Sequence, residues 1–372
     1  MISFKTWRPL LSILLALLIV AAVGASSIVQ KDLPATGCIG TSCRPFDYVV
    51  IILMENKSIC EILTTCGGTA PYMTSLALNY SLARNYTAIH HPSLPNYLDV
   101  TGGSNFGVSS DCDPTQCPVN ATTVNIVDRI ESRGLTWKAW AEDYPVPQGC
   151  STAADNGEYV AKHFPFVYYQ DISGSRCNNL YAANTVVSNT TEADDIFLSA
   201  LGSTYSAANY MWLTPNEYDD MHSSSIGAGD TYLSQLVPSI LKSYIFTHQR
   251  AALFITFDEG HATYPSDYVY TVWAGPAAKT HYQSSNYYSH FSFLKTLETA
   301  WGLQPLTAND NSAASMSEFL TASSAGTGLQ ASFTNTPTNL GITQQVTLRS
   351  HYQGNRAVWL RELRSADTHA YR

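Results

Sequence analysis

The sequence predicts an α/β fold, a three-layer α/β/α sandwich around a mostly parallel sheet. Two observations carry this. Short β-branched apolar runs alternate along the chain with segments of helical apolar spacing, the pattern of parallel strands joined by helical crossovers. Two of the runs, FDYVVIILMEN at 46–56 and FITFDEG at 254–260, are apolar almost without interruption and stop at polar residues. Unbroken apolar character marks strands buried on both faces, and ligands in such sheets bind beyond the carboxyl ends of the strands.

The elements follow in order. FDYVVIILMEN is the first buried strand. Residues 70–84 have helical spacing, and SLP at 93–95 opens a short helix over 93–100. Residues 123–134 form an amphipathic helix stopped by Gly134, and 135–142 read as a strand. Strands are expected at 209–216, 251–260 and 267–276. A helix over 229–246 should bend or break near Pro238. The last helix, 287–303, has Ser289 as its cap and Gly302 at its end. The main domain is expected over 46–308, after an irregular segment at 26–45. Beyond it, 309–345 read as a loose extension rich in Ser, Thr, Asn and Gly, followed by an Arg-bearing tail to 372 in which AVWLRELR has amphipathic spacing.

Hydrophobic residues are 45% of the 372-residue chain and charged residues only 13%, so the surface relies on neutral polar side chains. The net charge of −9 argues against a nucleic-acid partner. Residues 1–25 read as a signal peptide: Lys5 and Arg8 precede an apolar run that ends at Val23-Gly24-Ala25. That run is shorter than the ~20 residues a membrane span needs, which favours export with cleavage over an uncleaved anchor. Eight cysteines in an exported chain imply disulfides, simplest as neighbour pairs: Cys38–Cys43, Cys60–Cys66, Cys112–Cys117 and Cys150–Cys177. Asn79, Asn85, Asn120 and Asn189 stand in glycosylation tripeptides, as does Asn56.

The chemistry collects at strand ends. Two strands of one sheet would deliver Glu55, Asn56, Asp258 and Glu259 to one edge. Three carboxylates placed together repel unless a cation sits among them, and oxygen donors suit a divalent metal. In HHPSLPNYL (90–98), Ser93 begins a helix whose N-terminus favours an oxyanion, with Asn96 one turn on. LTPNEYDDMHSSS (213–225) places Asp219, Asp220 and His222 after another strand, and His290 lies in the first turn of the last helix. Asp219 and Asp220 are candidates for a second metal or a phosphate contact.

In ENKS, HPSLPNYL, TPN…DDMH, ITFDEG and YSHFSFLKTLETAWGL the chain resembles the exported acid phosphatase and phospholipase C phosphoesterases of the alkaline-phosphatase-like superfamily. The motifs run from Phe46 to about Leu306 in that family's order, and WKAWAEDYP and HFPFVYY fit as well. The resemblance implies an alkaline-phosphatase-like fold and a divalent metal, of unspecified identity, on Glu55, Asn56, Asp258 and Glu259. It implies Ser93 as a nucleophile that passes through a phosphoserine, with Asn96, His222 and His290 holding phosphoryl oxygens or assisting the leaving group. The chain departs from the pattern at Lys57, at Ile59-Cys60 and at Ser223, which bears on substrate contacts and weakens a second metal. Asn56 cannot be both ligand and glycan acceptor; a buried strand tip favours the ligand.

The expected activity is hydrolysis of phosphomonoesters by a secreted glycoprotein. The alternative on the same fold is a phospholipase C-type phosphodiesterase; membrane contact is expected only in that case or with an uncleaved anchor. An alternative of another class is a non-catalytic surface-binding protein that uses the many Tyr and Trp. A serine acyl hydrolase is disfavoured because GxSxG is absent.

Overall fold

The computed structural model describes residues 38–39, 42–185, 194–262, 266–321, 330–338 and 341–349. Its main sheet has eight strands: β1 Tyr48–Met54, β2 Ser81–Ala83, β3 Trp137–Ala141, β4 Leu180–Ala182, β5 Tyr210–Thr214, β6 Ala251–Phe257, β7 Thr271–Ala274 and β8 Tyr282–Ser284. Their order across the sheet is β8-β2-β7-β6-β1-β5-β3-β4. The five strands from β6 to β4 are mutually parallel, and β7 alone runs against its neighbours.

Every residue of β1, β5 and β6 is buried, as their unbroken apolar sequence requires. Burying one Val, Leu or Ile side chain contributes about 1.5–3 kcal/mol, so these three strands anchor the core. Register then fixes the site. Met54 pairs with Phe257, and Asp258 N donates to Met54 O at 3.0 Å. Glu55 and Asp258 therefore leave the sheet side by side.

The six main helices are α1 Pro71–Asn79, α2 Ser93–Gly102, α3 Ile126–Ser132, α4 Asp195–Ala200, α5 Ile226–Lys242 and α6 His290–Trp301. α1 packs on α5, and α2 on α6. All ten residues of α2 are buried, and the helix ends at Gly103, whose φ of 73° suits a residue without Cβ. Ser289 caps α6 and Gly302 closes it at φ 64°.

Several expectations change. The 70–84 segment is not one helix: α1 ends at Asn79 and Ser81–Ala83 is strand β2. α5 does not break at Pro238 but continues to Lys242; Leu233, Leu236, Val237 and Ile240 bury one face across the proline, and that packing offsets the ~3 kcal/mol a helical proline costs. The 267–276 strand shortens to β7 and runs antiparallel, which its short link from β6 permits and a parallel crossover would not. The segment after 308 is not loose. Ala308–Ser312 is helical, Asp310, Met316, Phe319 and Leu320 are buried, and Thr307 Oγ1 donates to Gly103 O at 2.9 Å.

Residues 37–326 form one compact unit. A second, which takes in residues 327–372, contains the antiparallel strands Gln330–Thr338 and Gly341–Arg349, where only an extension was expected. The signal segment, Asn189 and the AVWLRELR stretch lie outside the described residues. Disulfides join Cys60–Cys66, Cys112–Cys117 and Cys150–Cys177, and Cys38 and Cys43 are register partners in a short ribbon. No helix among the described residues is long and apolar enough to cross a membrane.

Candidate active site

Ser93 is the first residue of α2, follows Pro92, and is almost fully buried. Its Oγ donates to Glu55 Oε2 at 3.0 Å. Tyr97, one turn along α2, donates its hydroxyl to Glu55 Oε1. Asn56 takes a left-handed conformation, φ 54°, and its N–H donates to Asp258 Oδ1 at 3.2 Å. Glu55 N donates to Asp220 O at 2.9 Å, which brings the loop after β5 onto the tip of β1.

His163 completes the group. Its Nε2 lies 3.3 Å from Glu55 Oε2 and its Nδ1 3.2 Å from Asp220 Oδ2. The ring stacks on Tyr97 at 5.4 Å between centroids. Burial, with Lys162 and His222 nearby, pushes the imidazole well below its usual pKa, so it is neutral. Burial and then the neighbouring Asp258 and Asp220 push the Glu55 carboxyl well up. Burial likewise raises Asp220 strongly, and Asp258 to about 6.

This arrangement fits a metal ion. Asn56 Oδ1 and Asp258 Oδ2 are buried without a hydrogen-bond partner, an arrangement that costs about 1–3 kcal/mol per group unless something else occupies them. Ligand atoms of Glu55, His163 and Asp220 lie within 4.8 Å of one another. A neutral imidazole with carboxylate and amide oxygens suits a borderline or hard divalent cation.

The remaining expected residues are distributed differently. Glu259 does not join the Glu55–Asp258 group: it accepts from Asn96 Nδ2 at 3.2 Å and lies 3.0 Å from His91 Nδ1. Asn96 spends its amide on structure, accepting from Ile89 N and His90 N and donating to His90 O. His290 is fully buried; its Nε2 donates to Asp258 O at 2.6 Å and its Nδ1 lies 3.1 Å from the Tyr86 hydroxyl. Burial lowers its pKa to about 4, so it positions the Asp258 main chain as a neutral ring. His222 is half-buried beside Glu217 and Lys162, at 3.3 Å from each; burial and Lys162 lower its pKa. Asp219 and Asp220 part company: Asp220 meets His163, whereas the charge of Asp219 bears on the buried Glu142 and Asp194.

Sequence reasoning missed His163, Tyr97, Lys162 and Glu217. The signal for His163 was its place at the head of HFPFVYY; nothing in the sequence ties that segment to Glu55.

The phosphoesterase family model matches residues 64–304. A phosphate-repressible acid phosphatase of Penicillium chrysogenum is 30% identical over 70% of this chain and 60% of its own length. A phosphatidylinositol-3-phosphatase of Mycobacterium tuberculosis is 28% identical over 80% of this chain and 91% of its own. An acid phosphatase of Aspergillus fumigatus is 28% identical over 63% and 51%. The chain thus spans between half and two thirds of the two fungal proteins. Among solved structures, a Vibrio parahaemolyticus protein of the alkaline phosphatase superfamily superposes with a TM-score of 0.50 at 12% identity, over 70% of this chain and 68% of that one. The murine ectonucleotide pyrophosphatase/phosphodiesterase 5 also gives 0.50 at 12% identity, over 74% and 100%. These two speak for the fold. Fold, motif order and relatives agree, and the chain belongs to the phosphoesterase family.

Proposed function

We propose that this protein is a secreted, metal-dependent phosphatase that hydrolyses phosphomonoesters through a phosphoserine on Ser93. The observation that carries the reading is the Ser93 hydroxyl, held 3.0 Å from Glu55 at the start of α2, beside buried Asp258 and Asn56 oxygens without hydrogen-bond partners. The acid phosphatase relatives and the Mycobacterium tuberculosis lipid phosphatase support the same reaction class. Disulfides in the catalytic unit support an oxidising compartment.

A divalent ion on Glu55, Asn56, Asp220, Asp258 and His163 would make the Ser93 hydroxyl more acidic and neutralise phosphoryl charge. Glu55 orients the hydroxyl. Ser93 Oγ attacks phosphorus, the bond to the leaving oxygen breaks, and positioning dominates the barrier. The leaving alkoxide departs toward the half-open side and takes its proton from water there, since burial beside the Lys162 ammonium holds His222 neutral; His290 is occupied by Asp258 O and Tyr86. Water then displaces the phosphoryl group from Ser93.

Metal analysis of the purified protein, with turnover of p-nitrophenyl phosphate, a phosphoinositide monophosphate and p-nitrophenyl phosphorylcholine, tests this. The expected result is bound divalent metal and monoester turnover lost on chelation. Preference for the choline diester would favour the phospholipase C reading; no metal and no turnover would favour a binding protein.

A further inference from the structure

Pro92 and Pro95 carry no N–H, so the first turn of α2 can offer main-chain donors only from Ser93, Leu94 and Asn96. The donor next to the nucleophile is taken. Leu94 N donates to Asp111 Oδ1 at 3.0 Å. The other oxygen of that carboxylate, Oδ2, lies 3.5 Å from Lys162 Nζ. One anion therefore bridges the amide beside Ser93 and an ammonium.

Lys162 is well placed for a second role. Its Nζ lies 3.7 Å from Glu217 Oε1 and 3.3 Å from His222 Nε2, and the next residue, His163, touches Glu55. Asp111 adjoins the Cys112–Cys117 disulfide and is partly exposed. It borders a cavity of about 180 Å³ lined by Asp113, Gln116, Asp155 and Tyr168, which gives the side chain somewhere to move.

An acidic residue at a helix start is commonly just a cap. Asp111 differs in reaching back from 17 residues downstream and in sharing its charge with a lysine at the mouth of the site. An amide N–H and an ammonium converging next to a nucleophile are what a phosphoryl oxygen pair needs.

We propose that Asp111 is an internal stand-in for the substrate's phosphoryl group: in the resting enzyme it occupies the Leu94 amide and the Lys162 ammonium, and an incoming phosphate displaces it and takes both. The inference rests on the phosphatase reading and adds two residues to it, Lys162 as a substrate-binding cation and Asp111 as its resident competitor.

The test titrates metal-loaded full-length protein with inorganic phosphate and with tungstate by calorimetry, beside KM and kcat for p-nitrophenyl phosphate. Asp111→Asn and Asp111→Ala should each bind phosphate about tenfold or more tighter and lower KM. Lys162→Met should bind about tenfold weaker, Lys162→Arg should restore binding, and the Asp111→Ala/Lys162→Met double variant should lose the gain. Melting curves identify variants that fold, and the near-isosteric Asn keeps the test alive should Ala fail. Folded Asp111 variants that bind phosphate no more tightly than wild type overturn the proposal, as does wild-type affinity in Lys162→Met. Titration needs no turnover, so the two readings fail separately. Tightened binding in a protein that hydrolyses no monoester upholds the stand-in and removes the phosphatase; turnover with unchanged affinity does the reverse.

Discussion

The ring of His163 lies 3.3 Å from Glu55 while its other nitrogen faces Asp220 at 3.2 Å. A neutral imidazole has one N–H and one lone pair, and burial holds protons on Glu55 and Asp220, so the ring can donate to one carboxyl and accept from the other. A divalent cation on the proposed donor set would take the lone pair and let both carboxyls ionise. His163→Gln should weaken divalent metal binding by about 10–100-fold, read by calorimetric titration of chelator-stripped protein. Affinity within twofold of wild type would make His163 a packing residue on Tyr97.

Ser93→Ala removes the proposed nucleophile and leaves the fold and donor set in place. Turnover should fall about 10³-fold or more with metal content unchanged. Acid quenching during turnover of labelled substrate should trap label on the wild-type protein and none on the variant. A variant with most of its activity would place the nucleophile elsewhere.

Several carboxyls away from Ser93 keep their protons in the folded state. Burial raises Asp99 to about 8, Asp194 to about 7 and Glu298 to about 8, the last with Asp310 beside it. Unfolded, such groups titrate near 4. Between those limits the native state binds more protons than the unfolded chain, so stability falls as pH rises. The neutral His163 and His290 oppose this below about pH 6.5, where the unfolded chain takes up their protons, so Tm should decline from about pH 7 to pH 8, by about 2–4 °C for each kcal/mol lost. Asp99→Asn and Glu298→Gln should flatten the slope. A Tm that rises across this range would contradict the assignment.

Ile51 is fully buried in β1, between β5 and β6, paired with Trp212 and Phe254. Ile51→Ala should cost about 2–5 kcal/mol in denaturant unfolding, without changing the metal donors. A loss under 1 kcal/mol would mean that the sheet centre collapses around the gap.

The sequence by itself determined the sheet's central strands, because β1 and β6 must bury both faces and their apolar runs say so. It also fixed what stands at their ends: Glu55 and Asp258 follow directly from where those runs stop, and Ser93 from the start of a proline-flanked helix. Partner choice was another matter. Glu259 adjoins Asp258 yet pairs with Asn96 and His91, and Asp219 adjoins Asp220 yet its charge bears on Glu142 and Asp194. His290 supports the Asp258 main chain, and His163 arrives from a segment with no sequence link to Glu55. Local pattern encodes which residues leave the core and where, since backbone period and burial are short-range. Which side chains then meet depends on how distant segments pack, and only the tertiary structure decides that.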